Sequence, residues 1–350
     1  MKALVYQGNG KINLEEKPYP TLKKSTDAVI KVTLSTICSS DLHILNGTVP
    51  RAIPGVTLGH EFVGVVEEIG KDVKNVVIGD RVAVNVETFC GECFFCRRGY
   101  VNNCTDPEGG WALGCRIDGG QAEYARIPFA DQGLTKIPDG VPDEEALFTG
   151  DLLSTGYWAA KMAEIKEGDT VAVIGAGPAG LCSMLCAKLY KPANIIAIDP
   201  LKERLVFAKE HHMADKVYLP GKMEELEERI KGLTDGRGVD AVIEAAGGKD
   251  TFEMAWKIAR PNAVIALVAM YEENQVLPLP QMYGKNLIWK SGGVDACHCK
   301  EILELIRTKQ LEAGALITHT CTLNEIKEAY EKFRAHTDNM IKVAIYPYKR

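Results

Sequence analysis

The chain has 350 residues, 46% of them hydrophobic and 25% charged, with a formal net charge of −6. That length predicts roughly two domains, and an acidic balance with no basic block excludes a nucleic-acid partner. No apolar run approaches the ~20 residues that span a bilayer, and the opening Met1–Val5 run is too short for a secretory core, so a cytoplasmic protein without a membrane partner is expected, whose eleven cysteines need a reading other than disulfides.

In chain order, the segments Ala28–Leu34, Gly64–Ile69 and Arg81–Val86 are short apolar runs broken by glycine and turn residues. They predict strands of an irregular, largely antiparallel unit reaching to about residue 150. Cys90-Gly-Glu-Cys93-Phe-Phe-Cys96, closed by Cys104, lies in this part. Thiols at this spacing can reach one tetrahedral zinc, and a closed four-thiolate shell leaves no open position, so the role is structural. Iron–sulfur clusters also use grouped cysteines, but the long final gap and the lack of a partner cluster argue against one. Cys38, Gly59-His60-Glu61 and Asp151 offer further metal-binding groups, which spacing alone does not unite.

From Thr170 the rhythm changes to strand then helix. Thr170–Ile174, Asn194–Ile198, Val239–Glu244 and Ala263–Val268 are continuous apolar runs, as buried parallel strands are. Between them Leu201–His212 and Glu224–Leu233 read as helices, and the alternation predicts a doubly wound parallel sheet. Gly175-Ala-Gly177-Pro178-Ala-Gly180 follows the first of these strands and opens a helix, and Asp199 ends the next strand. That context makes the glycines a dinucleotide fingerprint, with the pyrophosphate at the helix N-terminus. A carboxylate at Asp199 accepts hydrogen bonds from ribose hydroxyls and repels a 2′-phosphate, so NAD is expected in preference to NADP, with Lys202 and Arg204 as the nearest bases. The tail from Lys300 predicts two amphipathic helices and a strand at Ile341–Tyr346. Cys182 and Cys186 sit one helical turn apart as core residues. Cys297-His298-Cys299 holds too few ligands to close a metal shell.

Together with these features, Cys38-Ser-Ser40-Asp41-Leu-His43, Gly59-His60-Glu61-Phe-Val-Gly64 and Asp151-Leu-Leu-Ser-Thr155-Gly156-Tyr give a sequence that resembles the zinc-containing medium-chain alcohol dehydrogenases along essentially its whole length. Asp151–Tyr157, Val276–Pro280 and Lys290–Val294 look closest to the microbial secondary-alcohol group, which typically lacks the structural-zinc cysteines kept here. The resemblance implies an α/β fold: a GroES-like, mainly antiparallel β catalytic domain (residues 1–154 and 296–350, discontinuous) and a Rossmann doubly wound parallel sheet (residues 155–295). It implies two zinc ions per chain. Cys38, His60 and Asp151 would hold the catalytic one, with Glu61 as a transient ligand or a tuner beside it, and the other would sit in the four-cysteine lobe. A zinc-bound alkoxide of a secondary alcohol would pass hydride to the cofactor and leave a ketone, with a polyol, butanediol or threonine enzyme as the alternative. Ser40 would take the alcohol proton and His43 would relay it through the cofactor ribose to solvent. Thr155 and Lys342 would join Gly175, Gly177, Pro178, Gly180, Asp199 and Arg204 in binding the cofactor, with Lys342 on its phosphate. Trp111, Met270 and Val294 would line an apolar substrate pocket. The metal and the cofactor would meet in a cleft between the domains, with Asp151 just before the first Rossmann strand, at the hinge. The expected partners are a small-molecule alcohol or ketone and further copies of the chain, as a tetramer rather than a dimer. A zinc-free quinone reductase would lack Cys38, His60 and the cysteine lobe, and a protein that had lost its chemistry would lack ligands that are all present.

Overall fold

The computed structural model describes residues 1–295 and 298–348. Cys297 of the Cys297-His298-Cys299 run lies outside them. The chain forms two compact units, Met1–Ser154 with Asp295–Arg350, and Thr155–Val294. The second segment of the first unit thus begins at Asp295, one residue before the expected position 296.

In the first unit a seven-stranded sheet runs in the order Ile317–Thr322, Lys342–Tyr346, Ala28–Thr36, Phe62–Ile69, Arg81–Val84 and Leu134–Lys136, and Tyr124–Ile127 adds to Ala28–Thr36. Its pairings are antiparallel except for Ile317–Thr322 on Lys342–Tyr346. Seven of the nine residues of Ala28–Thr36 are buried, which suits a strand with neighbours on both sides. One apolar cluster gathers Leu4, Ile37, Ile44, Leu58 and Val343 with Ile326, Ala329, Tyr330 and Phe333. The last four follow the spacing of one helical face, that of Ile326–Ala335. A second cluster gathers Ile30, Val32, Phe62, Val82, Val84 and Ile127.

The second unit is built on a parallel six-stranded sheet in the order Lys216–Tyr218, Asn194–Ile198, Thr170–Ile174, Val239–Glu244, Ala259–Leu267 and Ile288–Ser291. Counting strands along the chain, this is the doubly wound order 3-2-1-4-5-6, which reverses direction beside its first strand. The continuous apolar strands fall where hydrophobicity places them, except that Ala263–Val268 starts earlier and covers Ala259–Leu267. The edge strands Lys216–Tyr218 and Ile288–Ser291 carry little apolar signal because neither is buried through its length.

Two local expectations are corrected. Arg81–Val86 is not one strand: it stops at Val84, the Asn85 side-chain oxygen accepts the Glu87 N–H at 3.0 Å, and a new short strand covers Glu87–Thr88. Asp151 does not lie just before the first Rossmann strand, because the helix Leu152–Met162 intervenes and the boundary between the units, at Ser154 and Thr155, falls inside it. Among the described residues no helix is long and apolar enough to cross a membrane.

Candidate active site

Cys38 caps the N-terminus of the helix Ser39–Leu45. Asp41, three residues on, reaches back, and its Oδ2 accepts the Cys38 N–H at 3.0 Å; this reciprocal cap fixes the cysteine's position. His60 follows Gly59, whose φ of +92° falls in the left-handed region, and a Cβ there would come within 2.5 Å of Gln121 Cγ. Only glycine fits that turn, which carries His60 and Glu61 into the strand Phe62–Ile69. Asp151 precedes the helix Leu152–Met162.

These three segments bring Cys38, His60 and Asp151 together. One ligand atom from each lies within 4.8 Å of the others. Asp151 Oδ2 is 3.2 Å from His60 Nε2 and 3.6 Å from Cys38 Sγ. The other imidazole nitrogen, Nδ1, faces Asp41 Oδ1 at 3.4 Å, ion-pair range rather than an aligned hydrogen bond. Asp41 Oδ2 also accepts from Gln121 Nε2, and Gln121 Oε1 in turn accepts from the Tyr330 hydroxyl at 2.8 Å. A carboxylate on the far nitrogen sets the tautomer and turns Nε2 toward a metal.

Charge is concentrated here. Burial works against a protonated His60, but Asp41 and Asp151 hold its pKa well above the usual value. Burial likewise opposes ionisation of Asp151, yet His60 pulls its pKa down. Burial, then Asp151 and Glu61, push the Cys38 thiol up. Glu61 is 1% exposed, and its Oε1 has no hydrogen-bond partner. Such a set of sulfur, nitrogen and oxygen donors, with one buried carboxylate oxygen still unsatisfied beside it, suits a divalent zinc.

The second cluster is also assembled: one ligand atom each from Cys90, Cys93, Cys96 and Cys104 lies within 4.8 Å of the rest. Cys93 and Cys96 sulfurs are 3.4 Å apart, and Cys90 and Cys96 sulfurs 3.9 Å. A disulfide needs about 2.05 Å, whereas thiolates on a tetrahedral zinc, each about 2.3 Å from the ion, stand roughly 3.8 Å from one another. Backbone N–H groups of Glu92 and Cys93 point at Cys90 Sγ, and that of Cys96 at Cys93 Sγ. Backbone donors lower the Cys93 pKa to about 5, which favours the thiolate a metal needs.

In the second unit, Gly175 has a φ of +96° and Gly177 caps the helix Pro178–Ala187. A Cβ on Gly180 would sit 1.8 Å from the Gly175 carbonyl oxygen, so glycine alone lets this helix pack on the strand, while one on Gly177 would meet only the Arg204 guanidinium, at 3.4 Å. The helix N-terminus is therefore open to a phosphate-sized anion. Asp199 is 3% exposed, and its two oxygens accept from the N–H groups of Ala176 at 2.7 Å and Leu201 at 2.8 Å. Arg204 is not simply on the solvated face of its helix. It is half-buried, with a nitrogen 3.9 Å from Asp199 Oδ2. Thr155, half-buried, belongs to the same unit.

Residues 24–139 match the alcohol dehydrogenase GroES-like domain, and residues 178–301 match the family described as zinc-binding dehydrogenase. The chain is 35% identical to an alcohol dehydrogenase of Cupriavidus necator over 99% of both chains. It is 32% identical to an NADP-dependent isopropanol dehydrogenase of Thermoanaerobacter brockii, again over 99% of both. The solved structure of zinc dependent alcohol dehydrogenase 2 from Streptococcus pneumonia, in its apo form, superposes with a TM-score of 0.93 at 36% identity, covering 100% of this chain and 99% of that one. The chain belongs to the zinc-containing medium-chain alcohol dehydrogenases.

As a member of this family it is an oxidoreductase acting on CH–OH donors, with a GroES-like domain and a parallel-sheet domain. The structure corrects one site assignment. Lys342 is fully buried, and its ammonium donates to Glu61 Oε2 and to the Ile37 carbonyl oxygen. Its charge is held by Glu61 against the pull of burial, so Lys342 anchors Glu61 and is not available to a cofactor phosphate. Ser40 Oγ lies 3.7 Å from Cys38 Sγ. His43, three residues on along the same helix face, has Nδ1 3.3 Å from Thr48 Oγ1. The Trp111 ring packs edge-on against His60 with centroids 5.3 Å apart. Val294 is buried and Met270 42% exposed, both in the second unit.

Sequence reasoning missed Gln121 and Tyr330 altogether, named Asp41 without giving it a role, and missed Glu87. Asp41 carried a signal, since an acid three residues after a helix-capping position is the capping-box spacing. Glu87, a carboxylic acid 5% exposed in the short strand facing Trp111, had none: in the alternating run Val82–Glu87 it occupies an outward-looking slot.

Proposed function

We propose that this enzyme interconverts a secondary alcohol and its ketone, with NAD as the hydride carrier and two zinc ions per chain, one held by Cys38, His60 and Asp151 and the other by the four-cysteine lobe. The convergence of Cys38, His60 and Asp151 on one point, with Asp41 behind the imidazole, carries this reading. Cys38, His60 and Asp151 would hold a zinc, which when bound would make an alcohol more acidic, and a nicotinamide would supply the hydride acceptor. Asp41 keeps the His60 Nδ1 side occupied so that Nε2 faces inward. The Ser40 hydroxyl takes the alcohol proton, and His43, on the same helix face, passes it on to solvent. Glu61, tethered by Lys342, presents its unsatisfied oxygen beside the ligand set and tunes the charge on it. The isopropanol dehydrogenase among its relatives supports a secondary carbinol. A small-molecule substrate and a cytoplasmic setting go with this reading. So does a homotetramer, for which the edge strand Ile288–Ser291 and the exposed Val276, Leu277, Leu279 and Tyr283 in the chain before it offer an apolar contact surface.

The test is a panel of primary, secondary and cyclic alcohols with the zinc-loaded protein, followed by the near-ultraviolet absorbance of the reduced cofactor. Secondary alcohols are expected to give the highest kcat/KM. Turnover of none of them would refute the reaction.

Ser40→Ala is expected to lower kcat by about 10²–10⁴-fold, the range for a lost general base, and to alter its pH profile. His43→Gln is expected to have a smaller effect, because water can replace the end of a relay. A Ser40→Ala enzyme with the wild-type kcat and pH profile would return that serine to a turn hydroxyl.

Asp199→Gly is expected to move the cofactor preference toward NADP, since it removes the carboxylate that repels a 2′-phosphate and frees Arg204 to meet it. In the wild type, kcat/KM is expected to be higher with NAD. Equal or better kinetics with NADP would overturn the assignment.

A further inference from the structure

Glu87 is an acid for which the zinc chemistry has no use. Its residue surface is 5% exposed, and Oε2 is fully enclosed without a hydrogen-bond partner. A buried polar atom left in this state is costly, and a hydrogen-bonding ligand would relieve that cost. Two connections place it beside the ligand set. The preceding N–H, of Val86, donates to the carbonyl of Gly150 at 3.0 Å, next to Asp151. Its cross-strand partner is Trp111, whose ring lies against His60. Burial and then Asp151 raise its carboxyl to about 8, and His60 and Arg51 act in the opposite direction.

Trp111 repeats the pattern. Its indole Nε1 is enclosed and has no hydrogen-bond partner either. Side chains directly opposite on paired antiparallel strands share a face, so an unsatisfied acceptor and an unsatisfied donor stand side by side next to the metal ligands. A hydroxyl both accepts and donates, whereas an ammonium only donates and a methyl group does neither.

We propose that Glu87 and Trp111 form a subsite for a second hydroxyl on the carbon beside the carbinol, which makes the preferred substrate a vicinal diol or polyol rather than a monohydric alcohol. This rests on the site's being an alcohol-oxidising centre. Glu87 is the specificity-determining residue, the hydroxyl donating to its carboxyl and accepting from the Trp111 indole. A pocket lined by apolar groups alone would discriminate far less, because a site with buried polar groups also rejects the analogue that leaves them unpaired.

The experiment uses the zinc-loaded enzyme and three secondary alcohols that differ in a single group on the neighbouring carbon: methyl, hydroxyl or ammonium. Steady-state kinetics with NAD are measured beside the melting-temperature shift that each alcohol gives, which reports binding without turnover. The wild type is expected to prefer the hydroxyl compound to the methyl compound by about 10-fold in kcat/KM, because the methyl compound leaves the buried carboxyl and indole without partners. Glu87→Leu is expected to bring that ratio close to one in both readouts. Glu87→Gln preserves shape and an accepting oxygen but sets an amide NH2 in place of the second carboxyl oxygen, and is expected to lower the ratio by a few-fold. Trp111→Phe is expected to lower it as well. If the wild type oxidises these alcohols but the ratio is unchanged in Glu87→Leu and Glu87→Gln, the subsite is refuted and the alcohol-oxidising reading stands. A wild-type preference for the ammonium compound would overturn the assignment to a hydroxyl. Turnover of none of the three would refute the alcohol-oxidising centre and the subsite with it.

Discussion

Cys38→Ser and Asp151→Asn are each expected to abolish turnover while the protein still binds NAD. Each exchange keeps side-chain size close to the original. Serine at position 38 retains the backbone N–H that Asp41 caps, so the helix Ser39–Leu45 keeps its start. What changes is one donor of a three-donor set whose atoms lie within 4.8 Å of one another. Metal stabilisation of a developing alkoxide contributes several kcal/mol, and each 1.36 kcal/mol is about tenfold in rate, so kcat should fall by ~10³-fold or more. The fingerprint glycines and Asp199 belong to the other unit, so cofactor affinity should stay within a few-fold. Stopped-flow turnover and a fluorescence titration with NAD measure the two quantities separately. Near-native kcat in either variant would remove that residue from the site, and loss of NAD binding along with activity would mean that the substitution had damaged the fold.

Cys104→Ser should show the opposite profile, with a large loss of stability and a secondary loss of activity. The loop from Cys90 to Cys104 contains only short 3₁₀ turns, Cys96–Arg98 and Val101–Asn103, and three of its four cysteines lie in a stretch with few buried side chains. Such a loop has little core of its own, so its order comes from the metal. A structural zinc contributes on the order of 10 kcal/mol of binding linked to folding. Even the loss of ~3 kcal/mol would lower Tm by roughly 6–12 °C for a domain of this size. Metal analysis should find two zinc ions in the wild type and one in Cys104→Ser, while calorimetry follows Tm. Unchanged Tm and two zinc ions in the variant would refute the closed-shell assignment.

What the sequence made legible was whatever its own spacing carries. The Rossmann fingerprint lies within six consecutive positions, on a strand and helix whose periodicities announce themselves, and the four cysteines lie within fifteen residues. Cys38 and Asp151 are 113 positions apart, and nothing in their spacing unites them; three separate backbone devices do so, a capped helix, a left-handed glycine and a helix start. Glu87 was illegible for a related reason. The run Val82–Glu87 alternates as a strand with one wet face does, but the strand ends at Val84, and the slot that alternation assigns to solvent turns inward. Lys342 was read as a cofactor ligand because a base near the end of such a chain has that role by resemblance. The fold gives its charge to Glu61 instead, a pairing that only the sheet order discloses.

That pairing also orders events during synthesis. The strand Lys342–Tyr346 joins the sheet beside Ala28–Thr36, with Ala344 opposite Thr36 and Ile345 opposite Ser35, and Lys342 meets a glutamate 281 positions earlier. A chain still on the ribosome holds every residue of its nucleotide-binding half before this strand emerges. Until then Glu61 lacks its counter-charge, and the Ser35–Thr36 end of Ala28–Thr36, beyond the stretch that Tyr124–Ile127 covers, is left unpaired on that side, a short edge of the kind that seeks other strands. A loop closure of roughly three hundred residues therefore comes late. A nascent chain stalled before Lys342 would carry a complete set of nucleotide-binding residues beside a sheet with one short open edge and an unpaired buried Glu61, a species on which chaperones and quality-control proteases act.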